Sequence, residues 1–122
     1  MRIKPKYSLA HNTQYAWAGV QDMLRHEKSF RLELLVIAFL QISLSFADLA
    51  FGCAAVLRLS LLLPLIAETI NSSIERTVDL ITLENAPLAK QAKDLGSAVV
   101  FLSIALTALI WACTIYYVGL NS

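Results

Sequence analysis

Glu68, Asn71, Glu75 and Asp79 interrupt an otherwise apolar stretch at helical spacing. At about 100° per residue they fall near 0°, about 300°, about 340° and about 20° around a helix, within roughly 80° of one another. Three carboxylates and an amide on one face can accept a proton from an alcohol or hold a hard cation through oxygen. The plain alternative is the wet side of a helix running into water, and for Asp79 alone that explanation is as good. It fits Glu68 badly, because a carboxylate at the edge of hydrocarbon is costly and commonly functional.

The rest of the chain sets the depth of that stripe. Its 122 residues are 57% hydrophobic and 16% charged, with a mean hydropathy of +0.62. That is too apolar for a soluble domain of this size, and residues 1–122 read as one membrane domain. A net charge of +1 gives no reason to expect a nucleic-acid partner. Six of the ten Lys and Arg residues (Arg2, Lys4, Lys6, Arg25, Lys28 and Arg31) precede the first long apolar run, which predicts a cytoplasmic N-terminus. The polar residues His11, Asn12, Thr13 and Gln14 stand where a secretory signal would have its apolar core, so no cleavage is expected. Cys53 and Cys113 are isolated in apolar runs and read as small core residues.

The predicted architecture is all-α: an N-terminal amphipathic surface helix followed by three transmembrane helices. Residues 8–25 place Tyr15, Trp17, Val20, Met23 and Leu24 among polar neighbours, the pattern of a helix lying in the membrane interface. The first span covers about 30–47 and ends at Asp48. The second covers 50–83 as one unbroken helix despite Pro64, long enough for its last turns to protrude into the cytoplasm. Counting about twenty residues inward from Leu49 puts Glu68 near that interface. Glu84 to Leu88, with Pro87, reads as a cytoplasmic turn, and the third span covers 90–119, leaving the C-terminus in the periplasm. Arg58 lies inside the second span with no partner that the sequence identifies.

The segment Glu68-Thr69-Ile70-Asn71-Ser72-Ser73-Ile74-Glu75-Arg76-Thr77-Val78-Asp79 is followed by Ala92-Lys93-Asp94-Leu95-Gly96-Ser97-Ala98. Together they resemble the E-x-x-N-[ST]-x-x-E-x-x-x-D and A-K-D signatures of the small prokaryotic diacylglycerol kinase family, the integral membrane lipid kinases of the bacterial inner membrane. Trp17-x-Gly19 and Glu27-Lys28-Ser29-Phe30-Arg31-Leu32-Glu33 extend the likeness over most of the chain.

The resemblance implies transfer of the γ-phosphate of MgATP to diacylglycerol, a reaction that needs a base, oxygen ligands for Mg²⁺ and positive charge near the phosphates. It implies Glu68 as general base, at the depth where the lipid hydroxyl rests, with Asn71, Lys93 and Asp94 completing the catalytic group. Glu27 and Glu75 are implied as the metal ligands. Asp79, Lys93 and Asp94 are implied on the nucleotide side, with Asp94 orienting Lys93 or helping to hold the site together, while Glu33 and Ser97 are implied on the lipid side. Without the resemblance, Glu27 would read as an exposed glutamate and Lys93 as a snorkelling lysine. His26 reads as an exposed neighbour of Glu27. One position departs from the family: many relatives carry a functional Arg where Ser8 stands here, so no role passes to Ser8. Three spans are few for enclosing a charged stripe, and the resemblance implies a homotrimer with active sites between subunits.

Two other functions compete with this reading. Undecaprenol kinase shares the fold, but Phe30-Arg31-Leu32-Glu33 and Leu95-Gly96-Ser97 resemble the diacylglycerol branch. A non-enzymatic membrane subunit would use the charged stripe only for helix association.

Overall fold

The computed structural model describes residue 6 and residues 8–122, and all of its regular structure is helical. Arg2 and Lys4, part of the basic N-terminal count, lie outside the described residues. Helix α1 spans Leu9–His26, α2 Lys28–Ser45, α3 Phe51–Ser60, α4 Leu62–Ile81 and α5 Pro87–Leu120. Ser8 caps α1 by accepting a hydrogen bond from the His11 N–H at 3.4 Å, the usual service of a serine before a first turn.

The joint between α1 and α2 is a single extended residue, Glu27. Arg31 reaches back from α2 and donates to the carbonyls of Leu24 at 3.0 Å and Arg25 at 3.1 Å. Those carbonyls have no donor within α1, so the guanidinium caps that helix and fixes the bend.

The second apolar segment is broken where the sequence reading expects it to be continuous: a turn at Leu61 divides Phe51–Ile81 into α3 and α4. Pro64 has no N–H to donate to Ser60, the residue four positions earlier. The orphaned Ser60 carbonyl is satisfied from α5, where Thr107 Oγ1 donates to it at 3.0 Å and Trp111 Nε1 donates to Ser60 Oγ at 3.0 Å. The start of α5 also differs from expectation. Pro87 opens the helix instead of sitting in the turn, its fixed φ and missing N–H suiting the first helical position.

Arg58 now has partners. It donates to Gln41 Oε1 at 2.8 Å, to the Gln41 carbonyl at 3.1 Å and to Ser45 Oγ at 3.1 Å. The Gln41 amide returns a hydrogen bond to the Arg58 carbonyl at 3.2 Å. A guanidinium inside an apolar helix is thereby spread over three acceptors on α2.

Helix α4 packs most extensively against α5, with Ala67, Ser72 and Gly96 buried between them. Small side chains allow this close approach. Among the described residues little else is enclosed: Met23, Phe30, Leu44, Leu57, Leu61, Pro64 and Ala67 are buried, while Leu35, Phe39, Phe51, Phe101 and Leu109 stand exposed. Two helices, Phe51–Ile81 and Pro87–Leu120, are long and apolar enough to cross a bilayer. Helix α2 has 18 residues, about 27 Å of helix, and carries Lys28, Arg31 and Glu33 in its first two turns. So much exposed apolar surface belongs in lipid or against another chain, and the protein is a membrane protein. The same surface corrects the reading of the cysteines: Cys53 is half-buried and Cys113 exposed, so neither is a core residue.

Candidate functional site

The acidic stripe of α4 forms one wall of a polar cavity of about 250 Å³. Glu68, Asn71, Ser72 and Glu75 come from α4, Glu27 and Ser29 from the α1–α2 joint and the head of α2, and Ser97 and Val100 from α5. The face predicted by periodicity is therefore real as far as Glu75, and it meets Glu27 across the cavity. Asp79, one turn further, is paired instead: Lys93 Nζ donates to Asp79 Oδ1 at 2.6 Å. Asp94 accepts from Lys90 at 2.6 Å, one turn back on its own helix. An i, i+4 Lys–Asp pair is the nearer partner, and 100° per residue points Lys93 and Asp94 in different directions.

Glu68 is 8% exposed and accepts from Ser29 Oγ at 3.4 Å. Glu33 on α2 has its Oε2 buried without a hydrogen-bond partner. Glu33 also lines a second cavity, of about 410 Å³ and mostly apolar, between Leu32, Val36, Leu61, Ile104 and Trp111, with Thr107 the other polar residue. Glu68 thus lines the polar chamber and Glu33 the apolar one.

Asn71 is fixed at the chamber wall. Its Nδ2 donates to Glu75 Oε1 at 3.2 Å, and its Oδ1 is buried without a partner. This side chain lies where Gly96 of α5 leaves room, since a β-carbon there would overlap Asn71 Oδ1.

A network outside the chamber holds Glu27. Arg76, the residue after Glu75, donates Nη2 to Glu27 Oε1 at 3.0 Å and Nη1 to Asp22 Oδ2. Asp22 also takes the ring nitrogen Nδ1 of His26 on its other oxygen at 2.8 Å. The Arg76 guanidinium, helped by His26, holds the Asp22 carboxyl below its ordinary value of 3.8.

Sequence reasoning missed Ser29, Ser72, Asp22 and Arg76. Ser72 follows Glu68 by four residues and Ser29 precedes Glu33 by four, so the one-face rule applied to every polar residue would have found both. Arg76 and Asp22 meet across 54 residues, and no local pattern signals that.

The donor set suits a hard cation: the carboxylates of Glu27 and Glu75 are both oxygen donors lining one chamber. Among the described residues no three His, Cys, Asp or Glu side chains converge as a ready-made metal site. Mg²⁺ commonly takes only one or two carboxylates and completes its shell with phosphates and water, so two glutamates fit it.

Residues 14–115 match the family model for prokaryotic diacylglycerol kinase. A diacylglycerol kinase of Pseudomonas aeruginosa is 40% identical over 101 residues, covering 82% of this chain and 81% of its own. One from Haemophilus influenzae is 31% identical over 110 residues, 89% of this chain and 92% of its own. One from Escherichia coli strain K12 is 30% identical over 102 residues, 84% of each.

Proposed function

The chain belongs to the prokaryotic diacylglycerol kinase family, and from that premise we propose that it transfers the γ-phosphate of MgATP to the hydroxyl of diacylglycerol, giving phosphatidic acid. The observation that carries this reading is the pair of cavities lined by neighbouring carboxylates of the same bundle, an apolar one lined by Glu33 and the polar chamber lined by Glu27, Glu68 and Glu75. A lipid alcohol needs its chains in the first and its hydroxyl at the boundary; a nucleotide needs the second.

In this mechanism Glu68 accepts the hydroxyl proton as the alcohol oxygen attacks the γ-phosphorus, and ADP leaves from the opposite side. Ser29 and Glu33 orient the Glu68 carboxyl. Asn71, tied to Glu75, braces that carboxylate at the chamber wall. Glu27 and Glu75 would hold Mg²⁺, which when bound neutralises charge on the transferring phosphate. Lys93 exchanges Asp79 for the nucleotide phosphates, and Asp79 and Asp94 keep the lysines on this side of the helix pair in place. Ser97 hydrogen-bonds the lipid headgroup.

The three-span topology, with α1 in the cytoplasmic interface, α2 as the first span and the C-terminus in the periplasm, puts the polar chamber on the ATP-containing side. The inner membrane is its location, and residues 1–122 act as one domain. The exposed apolar faces of α2 and α5 support assembly, and a homotrimer with sites between subunits is the form proposed.

The test is transfer from labelled ATP with Mg²⁺ in mixed micelles offered diacylglycerol or undecaprenol. Transfer to diacylglycerol is the expected result. Transfer to undecaprenol alone overturns the substrate, and transfer to neither overturns the activity.

A further inference from the structure

Glu27 is the residue where α1 stops and α2 starts, and its backbone is extended. As the residue before α2 it makes no side-chain capping bond, so neither helix sets the direction of its carboxyl. Among the described residues, the hydrogen bond that does so is the one from Arg76. Arg76 is rooted on α4 beside Glu75, so it ties a carboxylate from the joint to the helix that carries the opposing carboxylate.

Its second nitrogen is engaged by Asp22 of α1. That engagement has a consequence for Glu27. A guanidinium facing a lone carboxylate tends to close on it through two parallel hydrogen bonds, occupying both oxygens. Divided between two carboxylates, Arg76 reaches only Oε1 of Glu27.

We propose that Arg76 is a positioning residue that aims Glu27 at Glu75, and that Asp22 limits the grip of Arg76 on Glu27 to one oxygen, leaving the other for a divalent cation. The proposal rests on the reading of Glu27 and Glu75 as the metal carboxylates. Removing Arg76 frees the Glu27 side chain to swing away from the chamber. Removing the charge of Asp22 leaves Glu27 in place but lets the guanidinium close over it. Both changes weaken the cation site, by opposite routes.

The test is Mn²⁺ binding to the full chain in detergent micelles with a non-hydrolysable ATP analogue, followed by the paramagnetic resonance of free Mn²⁺. Arg76→Met is expected to weaken Mn²⁺ binding about 10-fold or more, the usual effect of removing a group that orients a ligand. Arg76→Lys is not expected to restore it, because one ammonium cannot span both carboxylates in the guanidinium's geometry. Asp22→Asn is expected to weaken binding too, and the double variant Asp22→Asn/Arg76→Met to be no worse than Arg76→Met alone. Asp22→Asn keeps Arg76 and its bond to Glu27, so it carries the test should Arg76→Met fail to fold. Glu27→Gln separates the two claims. Wild-type Mn²⁺ affinity in Glu27→Gln overturns the metal assignment and the proposal with it. Weakened binding in Glu27→Gln beside wild-type affinity in Arg76→Met and Asp22→Asn overturns the proposal alone, as does a lowered unfolding temperature in those two with no change in Mn²⁺ affinity.

Discussion

Asn71 of α4 rests against Gly96 of α5 so closely that any β-carbon at position 96 would overlap the Asn71 side-chain oxygen. Alanine in place of a helical glycine normally gains about 0.5–1 kcal/mol. In Gly96→Ala the Asn71 amide must turn out instead, losing its bond to Glu75. Stability is therefore expected to change little, by under about 1 kcal/mol once the two effects offset, while kcat falls about 10-fold or more. Parallel thermal unfolding and turnover measurements in micelles check this. Combining Gly96→Ala with Asn71→Ala should cost no more activity than Asn71→Ala alone.

Acid should loosen the tie between α1 and α4. Because the folded-state carboxyl of Asp22 is held below its ordinary 3.8 by Arg76 and His26, the stabilisation is complete above that value. It is lost as pH falls through the lower, folded-state value. The emission of Trp17 on α1 should shift over this acid range, and Asp22→Asn should remove the shift. An unchanged profile in that variant would assign the acid transition to another group.

Arg58 and its acceptors give an ordered series. Gln41→Leu leaves a guanidinium without its main partner among apolar helices and is expected to be the most destabilising, by about 1–3 kcal/mol. Arg58→Leu leaves only a neutral amide and should be milder. The double variant, with neither polar group stranded, should lie nearest the wild type. Unfolding midpoints in one detergent rank the three.

The sequence made one side of this molecule readable and left its cross-connections hidden. Periodicity alone places Glu68, Asn71 and Glu75 on one face, because a helix repeats its geometry every few residues whatever surrounds it. The existence of α1, the turn after α4 and the long α5 follow from periodicity, hydropathy and breakers in the same way. The break at Leu61 does not, although Pro64 was visible. Whether a proline merely kinks a helix or divides it depends on who satisfies the freed carbonyl, and here Thr107 does so from 47 residues away. The partners of Arg58, the Ser29–Glu68 hydrogen bond and the Arg76 bridge are likewise long-range pairings that no local pattern encodes. Cys113 shows a different failure. Burial statistics drawn from water-soluble proteins put cysteine inside, but on a lipid-facing helix the outside is apolar as well.

Glu68 carries the central claim, as the base that takes the proton of the lipid hydroxyl. The most direct measurement compares Glu68→Gln with the wild type for phosphoryl transfer to diacylglycerol and for nucleotide binding in the same micelles. Turnover is expected to fall about 100-fold or more, the scale of a lost general base, with nucleotide affinity essentially retained. Turnover comparable to that of the wild type in Glu68→Gln would contradict the account.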